Sequence, residues 1–336
     1  MSNQDIKEEK VVEEEKKEVE DVNSLLPGAT PINKPEKDGE DYAKVVEDAR
    51  LDFMKKYKAG RRNSFIAMGV VLLLAVASVI CITMNAMVFK IIGWSCVGVA
   101  VVGMLVFYIL TRNSLPNATK NYIAVVNEQL NIRNFSDTRY SEASTDKTEK
   151  LELSDPISDS IYVNLNNIAS RNVINGKFDG RTFKVGDLGL YSGQGKARTS
   201  AFVGKYISYP NDLHFEGRYL VTLKGAVPTD LPSDIEDLRV LLEEDNLVIY
   251  GKEGSKYSSD LGKEFLKRIK TIKVENHLMN INFAIWSGHT SVYASYDDQI
   301  MTLPYQNEYN KEPNEQYAKD LLAIFDALST LVEKEK

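Results

Sequence analysis

The glycine-punctuated segment GLYSGQGKARTS, residues 189–200, has a lysine directly after its last glycine, as phosphate-binding loops do. Such a loop needs a glycine, four further residues and then Gly-Lys-Ser/Thr, because backbone N–H groups wrap the phosphates and a hydroxyl reaches Mg²⁺. Here Leu190 occupies the first glycine position and Ala197 follows the lysine, so the pattern fails twice. The chain continues as a strand pattern rather than a helix, and we interpret the segment as a loop between two strands. Its turn and solvent-facing residues are Gly193, Gly195, Lys196 and Arg198.

Histidines and paired carboxylates are the other residues whose types could support chemistry. His214, His277 and His289 are widely separated and form no HxH, HExxH or HxxxH arrangement, so metal-ligand spacing is absent. The runs Glu243-Glu244-Asp245 and Asp297-Asp298 could hold a cation or share a proton. They fall at a predicted hairpin turn and a predicted strand end, where solvated charge is usual. The sequence therefore predicts no metal site and no cofactor, and it identifies no catalytic residue.

Charge is distributed unevenly along the 336 residues, whose formal net charge is -7. Residues 1–40 contain 12 acidic residues against 6 lysines and few apolar residues. Such a segment cannot bury enough surface to offset its ordering entropy, so we predict a disordered acidic tail. The acidic balance argues against nucleic acid as a partner. Cys81 and Cys96 both lie in apolar runs, which argues against a disulfide framework or a soluble thiol nucleophile.

Two uncharged runs predict a transmembrane helical hairpin within residues 63–112. Residues 64–84 read SFIAMGVVLLLAVASVICITM, which spans about 31 Å as a helix and matches a bilayer core. After a short turn, residues 91–110 read IIGWSCVGVAVVGMLVFYIL, a second run of similar length. Three glycines in the second run recur at five-residue spacing and so form no single packing stripe, which favours lipid-facing packing, although any one of them could let the two helices approach. They are Gly93, Gly98 and Gly103.

Basic residues beside these runs predict the orientation of the hairpin. Five precede the first run, whereas Lys90 alone lies in the turn, and Arg112 and Lys120 follow the second run. Positive-inside counting therefore predicts a plasma-membrane protein with both termini in the cytoplasm. Residues 41–62 show an amphipathic helical pattern that either lies on the membrane or extends the first helix. The membrane-surface candidates are Lys55, Lys56, Lys58, Arg61 and Arg62, with a second cluster at Lys263, Lys267, Arg268 and Lys270.

Residues 113–336 predict a single α+β domain with a mixed, mostly antiparallel sheet. Helical patterns cover residues 117–132, 260–272 and 314–334, and residues 134–160 are polar and predicted to be rich in loops. The pairs Asn175-Gly176 and Asp179-Gly180 predict turns between strands. A last hairpin is predicted to turn at residues 287–289.

Several of these patterns together resemble a known family. They are VINGKFDGRTFKVGDLGLY, GKARTSAFVGKYI, LLEEDNLVIYGKEG, LGKEFLKRIKTI and a hairpin ending in VYAS. Over roughly residues 120–333 the chain resembles the bacterial family of membrane proteins known as domain of unknown function 3137. The resemblance implies a membrane hairpin followed by a soluble α+β region. It implies no activity and no catalytic residue, because the family has no established activity.

Three functional hypotheses follow from the sequence. The first is a bacterial integral membrane protein that presents a cytoplasmic α+β domain to a protein partner or to the lipid surface. The second is a membrane-bound hydrolase or transferase whose site is assembled only in the fold, from residues such as His214, His289, Asp297 and Asp298. The third is an accessory subunit of a transport or envelope-assembly complex. Because neither apolar run contains a charge, the hairpin alone offers no path for an ion.

Overall fold

A computed structural model describes the protein at residues 29–32, 42–84, 87–146, 149–152, 161–162, 165–193, 199–223, 238–244, 246–301, 305 and 307–332. The chain divides into two compact units, which we call the sheet unit and the helical unit. The sheet unit comprises Met1–Gly39, Leu130–Thr302 and Lys311–Lys336, and the helical unit comprises Glu40–Gln129 and Leu303–Asn310.

Two long helices carry the apolar runs. Helix α1 spans Tyr42–Thr83 and helix α2 spans Met87–Asn134. Both are long and apolar enough to cross a membrane, as predicted. The predicted juxtamembrane helix at residues 41–62 is not a separate element, since it forms the first half of α1 without a break. The helical pattern at residues 117–132 likewise lies within α2.

The two helices approach closely at Gly93. A Cβ atom there would lie 2.7 Å from Ile82 Cγ1 and 3.1 Å from the carbonyl oxygen of Ser78. At Gly98 and Gly103, by contrast, an added Cβ would meet no atom within 4 Å. The expectation of lipid-facing packing was therefore wrong for Gly93, whose missing side chain lets the helices touch.

Before the apolar run, α1 makes an aromatic contact with α2 and polar contacts with the segment around Tyr305, within the helical unit. The ring of Phe53 stacks on Tyr122 at 5.0 Å and meets Tyr305 edge-on at 6.0 Å. Arg50 pairs with Glu47 at 2.5 Å and donates a hydrogen bond to the carbonyl oxygen of Tyr305 at 3.4 Å. The segment around Tyr305 thus packs against the part of α1 that precedes the apolar run.

The described residues of the sheet unit form ten strands and four short or medium helices. The strands are β1 Ala29–Pro31, β2 Tyr140–Asp146, β3 Asn167–Phe178, β4 Arg181–Ser192, β5 Thr199–Pro210, β6 Arg218–Leu223, β7 Leu238–Glu244, β8 Leu247–Lys252, β9 Leu278–Trp286 and β10 His289–Tyr296. The helices are α3 Tyr257–Asp260, α4 Lys263–Ile269, α5 Asp298–Met301 and α6 Glu312–Leu328, followed by a 3₁₀ turn at Ser329–Leu331. This α+β class agrees with the prediction.

All ten strands form one antiparallel sheet in the order β1-β2-β3-β4-β5-β10-β9-β6-β8-β7. The order departs from the chain sequence at two places, because β8 lies between β6 and β7 and because the last hairpin lies inside the sheet. The β9–β10 hairpin inserts between β5 and β6, pairing with β5 on one side and with β6 on the other. Its strands are accordingly buried along most of their length.

Apolar side chains cover both faces of the sheet. The larger cluster includes α4, α6 and one face of the strands, and the smaller cluster lies on the other face around Leu188, Phe202 and Tyr293. Phe325 on α6 is central to the larger cluster. Its ring lies within 4.9–5.7 Å of rings from β2, β3, β4 and β5, namely Tyr140, Phe178, Phe183 and Tyr209.

The turn predictions had mixed outcomes. Asp179-Gly180 forms the tight β3–β4 turn with φ values of 48° and 81°, as predicted. Asn175-Gly176 lies inside β3 instead. A glycine is needed there because a Cβ would lie 2.7 Å from the ring of Phe183. Residues 189–200 connect two strands, as predicted, but residues 189–192 belong to β4 and residues 199–200 belong to β5. Gly195, Lys196 and Arg198 lie outside the described residues.

Two strands lie in segments that were predicted to have no regular structure. Strand β2 falls within the polar segment 134–160, because its residues pair with β3 although they carry few apolar side chains. Strand β1 falls within the predicted tail, where Ala29–Pro31 pair with β2 through the backbone. The predicted tail boundary at residue 40 is therefore corrected, and residues 1–28 lie outside the described residues.

The close approach at Gly93 predicts a stability difference between two matched substitutions. Gly93→Val should lower the stability of the helical hairpin by about 1–3 kcal/mol, because the new side chain must push Ile82 and the Ser78 carbonyl away. Gly98→Val should change it little, since its site is open. Thermal unfolding of the full chain in detergent micelles measures both. Equal midpoints for the two variants would show that the helices do not pack at Gly93.

Candidate functional site

Three charged side chains lie side by side across neighbouring strands of the sheet unit. Arg171 on β3 is opposite Asp187 on β4, and Asp187 is opposite Lys205 on β5. Arg171 Nε donates to Asp187 Oδ2 at 2.8 Å, and Lys205 Nζ lies 2.5 Å from Asp187 Oδ1. Arg171 also donates to the carbonyl oxygen of Met301. We call Arg171, Asp187 and Lys205 the charge row.

The burial of Lys205 distinguishes the charge row from surface ion pairs. Lys205 is only 8% exposed, and its Nζ lies 4.9 Å from the centre of the Tyr317 ring on α6. Burial by itself would lower the pKa of Lys205, but the Asp187 carboxylate outweighs burial and the pKa is raised. Lys205 therefore stays protonated. A permanently charged lysine positions its neighbours and is poorly suited to act as a nucleophile or a base.

A second polar group lies beneath α6, close to the same tyrosine. Tyr317 meets the ring of Tyr296 edge-on at 5.2 Å, and Asp320 lies one turn further along α6. Gln316 Nε2 donates to Asp320 Oδ1 at 2.8 Å, whereas Asp320 Oδ2 and the Tyr296 hydroxyl are buried without a hydrogen-bond partner. Burial raises the pKa of Asp320 to about 6, although the Gln316 hydrogen bond and His277 oppose the shift.

An open groove of about 300 Å³ lies next to the charge row. Ala169, Gly189 and Val203 line it with small or apolar groups, and Arg171 and Asp187 are also part of its wall. Ala169, Gly189 and Val203 are paired with one another in register on β3, β4 and β5. The groove therefore exposes a strip of sheet face that ends at the charge row.

No three His, Cys, Asp or Glu side chains are placed to hold a metal ion together, as far as the described residues extend. The chain matches no family model, no curated protein and no solved structure. The chemistry of the site therefore has to be argued from its own geometry.

The residues that the sequence suggested for an assembled enzyme site are not brought together. His289 begins β10 and Asp297 follows its end, which separates them by about 26 Å at 3.3 Å per residue. Asp297 instead lies beside His277, with 2.8 Å between His277 Nδ1 and Asp297 Oδ2. Its side chain also caps the start of α5. His214 and Asp298 are exposed. In the other acidic run, Glu243 and Glu244 end β7, and Asp245 lies outside the described residues.

The membrane-surface candidates occupy two different environments. The five candidates on α1, Lys55, Lys56, Lys58, Arg61 and Arg62, are all exposed, although Lys56 pairs with Asp52 at 2.6 Å. In the second cluster, Lys263, Lys267 and Lys270 are exposed and Arg268 is half-buried. Arg268 contacts Glu264 at 3.0 Å, and Lys270 contacts Glu244 at 2.6 Å. These acidic partners reduce the positive potential of the second cluster, whereas the α1 candidates keep most of theirs.

Sequence reasoning missed the charge row and Asp320, although part of the signal was present. In β5, Lys205 has the same alternation as Ile207 and Tyr209, both of which are buried. In β4, Asp187 shares its face with Phe183 and Val185. A period of two thus places both charges on the core side. Their pairing required the strand register, which no local pattern supplied.

Removal of one charge from the charge row should have a large effect on the stability of the sheet unit. Asp187→Asn should destabilise the sheet unit by about 3 kcal/mol, because it leaves the buried ammonium group of Lys205 without a counter-charge. The double variant Asp187→Leu/Lys205→Met should recover most of this loss, because no buried charge remains. Thermal unfolding of the full chain in detergent measures these effects.

A matched control for the charge row is the exposed pair between Lys177 and Glu142, 2.6 Å apart. Lys177→Gln should cost at most about 1 kcal/mol, because exposed ion pairs contribute little. If Asp187→Asn cost no more than Lys177→Gln, the charge row would not be a buried electrostatic unit.

Asp320 predicts a pH dependence of stability. Its folded pKa of about 6 exceeds the model-compound value of 3.8, so the folded chain binds a proton that the unfolded chain releases between these values. The protonated carboxyl group stabilises the fold below pH 4, and this contribution is lost as the pH rises through 6. The Asp320→Asn variant should therefore be more stable than wild type by about 1–2 kcal/mol at pH 7, and its free energy of unfolding should change less with pH between pH 4 and 6.

Unfolding midpoints across a pH series test the role of Asp320. The exposed residue Asp298 provides the control, since Asp298→Asn removes one carboxyl group at the surface. A slope between pH 4 and 6 that survives Asp320→Asn would assign the titration to another group.

Proposed function

We propose that the protein is a plasma-membrane anchor for a cytoplasmic protein-binding domain. Helices α1 and α2 form the anchor, both termini lie in the cytoplasm, and the sheet unit binds a protein partner. Membership of the bacterial family known as domain of unknown function 3137 is part of this proposal, since that family has the same order of membrane hairpin and α+β region.

The observation that supports the topology most strongly is the pairing of β1 with β2. Strand β1 precedes the membrane hairpin in the chain and β2 follows it, yet Thr30 is opposite Thr145 and Pro31 is opposite Ser144. Two strands of one sheet must lie on the same side of a bilayer. An even number of crossings between residues 31 and 140 meets this requirement, and the two apolar helices supply two.

The basic residues of α1 support the cytoplasmic side. Exposed basic residues lie immediately before the apolar run of α1, among them Lys55, Lys58, Arg61 and Arg62. At the other end of this run, Lys90 is the only basic residue close to the short turn in the sequence. The positive-inside rule then assigns the turn to the exterior. The same residues can contact anionic headgroups, so this surface, rather than the ion-paired α4 cluster, is the lipid-facing part of the proposal.

The surface of the sheet unit favours a protein as its partner. Ala169 and Val203 line the groove and are exposed beside the charge row. Flat, partly apolar sheet surfaces bounded by charges are typical of contacts with other proteins. Lys205 holds its proton, and the suggested enzyme residues lie apart, so a reaction has no specific observation in its favour.

The topology is tested with single cysteines in the full chain after Cys81 and Cys96 are replaced by alanine. Met87→Cys should react with a membrane-impermeant maleimide in intact cells, because it begins α2 at the external turn. Lys58→Cys and Lys120→Cys should react only after the cells are permeabilised. Labelling of the last two in intact cells would place the sheet unit outside. Labelling of only one of them would contradict the two-helix hairpin itself.

A further inference from the structure

One edge of the sheet is covered by a very short strand. Strand β1 contributes three paired residues, Ala29–Pro31, to the edge of β2. The next residue, Ile32, donates a backbone hydrogen bond to Ala143 O at 2.7 Å, and its half-buried side chain packs against the larger apolar cluster. Backbone pairing over four residues and one aliphatic side chain therefore hold β1 in place.

The accepting strand is longer than its occupant. Strand β2 has seven residues, and its register with β3 shifts between Ser141 and Ser144. Glu142 lies at this irregularity with a φ of 52°. Strand β1 pairs with the regular half of β2 and stops where the bulge begins. The acceptor edge thus has a defined length of about four residues.

The two edges of the sheet differ in the features that oppose pairing with another strand. The other edge strand, β7, carries exposed Arg239, Glu243 and Glu244 and has a register irregularity between Val240 and Leu242. Charges and bulges are features that stop an edge from pairing with another chain. At β2, Glu142 and the register shift come before Ser144, and the regular stretch Ser144–Asp146, whose only charged residue is the last one, already receives a strand. This part of the β2 edge is therefore open to pairing, whereas the charges and the irregularity of β7 oppose it.

The resident strand also ends the sheet. Proline has no backbone N–H, so Pro31 cannot donate to a further strand on its outer side. A strand with a proline at this position therefore pairs with β2 but does not favour the addition of a further strand to the sheet. Within the described part of the chain this pairing extends over only four residues, so its backbone hydrogen bonds contribute little free energy and local opening of this edge is expected.

We propose that the β2 edge is a strand-acceptor site for an extended segment of a partner protein, which displaces the resident residues 29–32. The chain's own strand defines the chemistry of that segment: a short extended run with a proline at the third position and an aliphatic residue at the fourth. The aliphatic residue takes the place of Ile32 against the apolar cluster. Main-chain hydrogen bonds to β2 give affinity, and the proline and the aliphatic side chain give selectivity. The inference rests on the proposed protein-binding function and names its site.

The probe is a fluorescent peptide, LPGATPINKP, which copies residues 26–35. The acceptor is the full chain in lipid nanodiscs, either unchanged or with Ile32→Asp, which weakens the resident strand. The peptide should bind the Ile32→Asp chain about tenfold more tightly or better, because a resident strand that occupies the edge nine-tenths of the time lowers apparent affinity about tenfold. A peptide with aspartate at the Ile32 position should not bind.

Disulfide formation between residues that are opposite each other in the strand register provides a second measurement. A chain that had lost its fold would not show this preference for one position. With Cys81 and Cys96 replaced by alanine, a peptide carrying cysteine at the Thr30 position should form a disulfide with Thr145→Cys, its register partner. It should not form one with Lys177→Cys, which lies on β3. If Ile32→Asp lowers the thermal midpoint, a chain in which residues 29–32 are replaced by Gly-Ser-Gly-Ser takes its place as the opened acceptor.

Failure of peptide binding by both opened chains, when their thermal midpoints match wild type, would overturn the proposal. So would disulfides that form equally well at Thr145→Cys and Lys177→Cys. Disulfides between Thr30→Cys of one full chain and Thr145→Cys of another, without peptide binding, would identify a second copy as the occupant and also overturn it. None of these readouts depends on membrane orientation, so an external sheet unit would refute the topology and leave the acceptor site standing.

Discussion

The contacts of Phe325 constrain the sheet unit more widely than any local pattern does. This fully buried ring lies on α6, near the end of the chain, and it touches aromatic rings from four successive strands. Tyr140 adds a ring contact with Phe135, directly after the end of α2. One residue thereby links the covering helix, half of the sheet and the end of the long helix that enters the domain. Because aromatic pairs are favourable only over a narrow range of distance and tilt, a shift of α6 would weaken four contacts at once.

The sequence predicts those parts of the structure that depend on local chemistry. The uncharged runs lie in α1 and α2, Asp179-Gly180 turns the β3–β4 hairpin, and the last amphipathic pattern becomes α6. These features follow from hydropathy over 20 residues, positive φ at a turn and helical periodicity, none of which needs a distant partner. The predicted tail boundary failed at Ala29–Pro31 because that strand is stabilised by β2, more than 100 residues away in the chain.

The candidate site was harder to predict for the same reason. Asp187 and Lys205 are 18 residues apart, and only the register of β4 and β5 makes them neighbours. The charge row marks the border between two regions of one sheet face. On one side Val185 and Ile207 belong to the apolar cluster that includes α6, and on the other side Val203 is exposed. At this border the ammonium group of Lys205 meets both the Asp187 carboxylate and the Tyr317 ring, which compensates its charge although the side chain is buried.

The position of the β9–β10 hairpin has a consequence for biosynthesis. Strands β9 and β10 lie inside the sheet, yet they come from residues 278–296, after every other described strand, so β5 and β6 have only one neighbour each until this hairpin has been synthesised. By then the two long apolar helices have already been synthesised. Pairing between segments that are distant in the chain is also slow to form. Until the hairpin is inserted, the incomplete sheet has two exposed strand edges that are prone to pair with other chains.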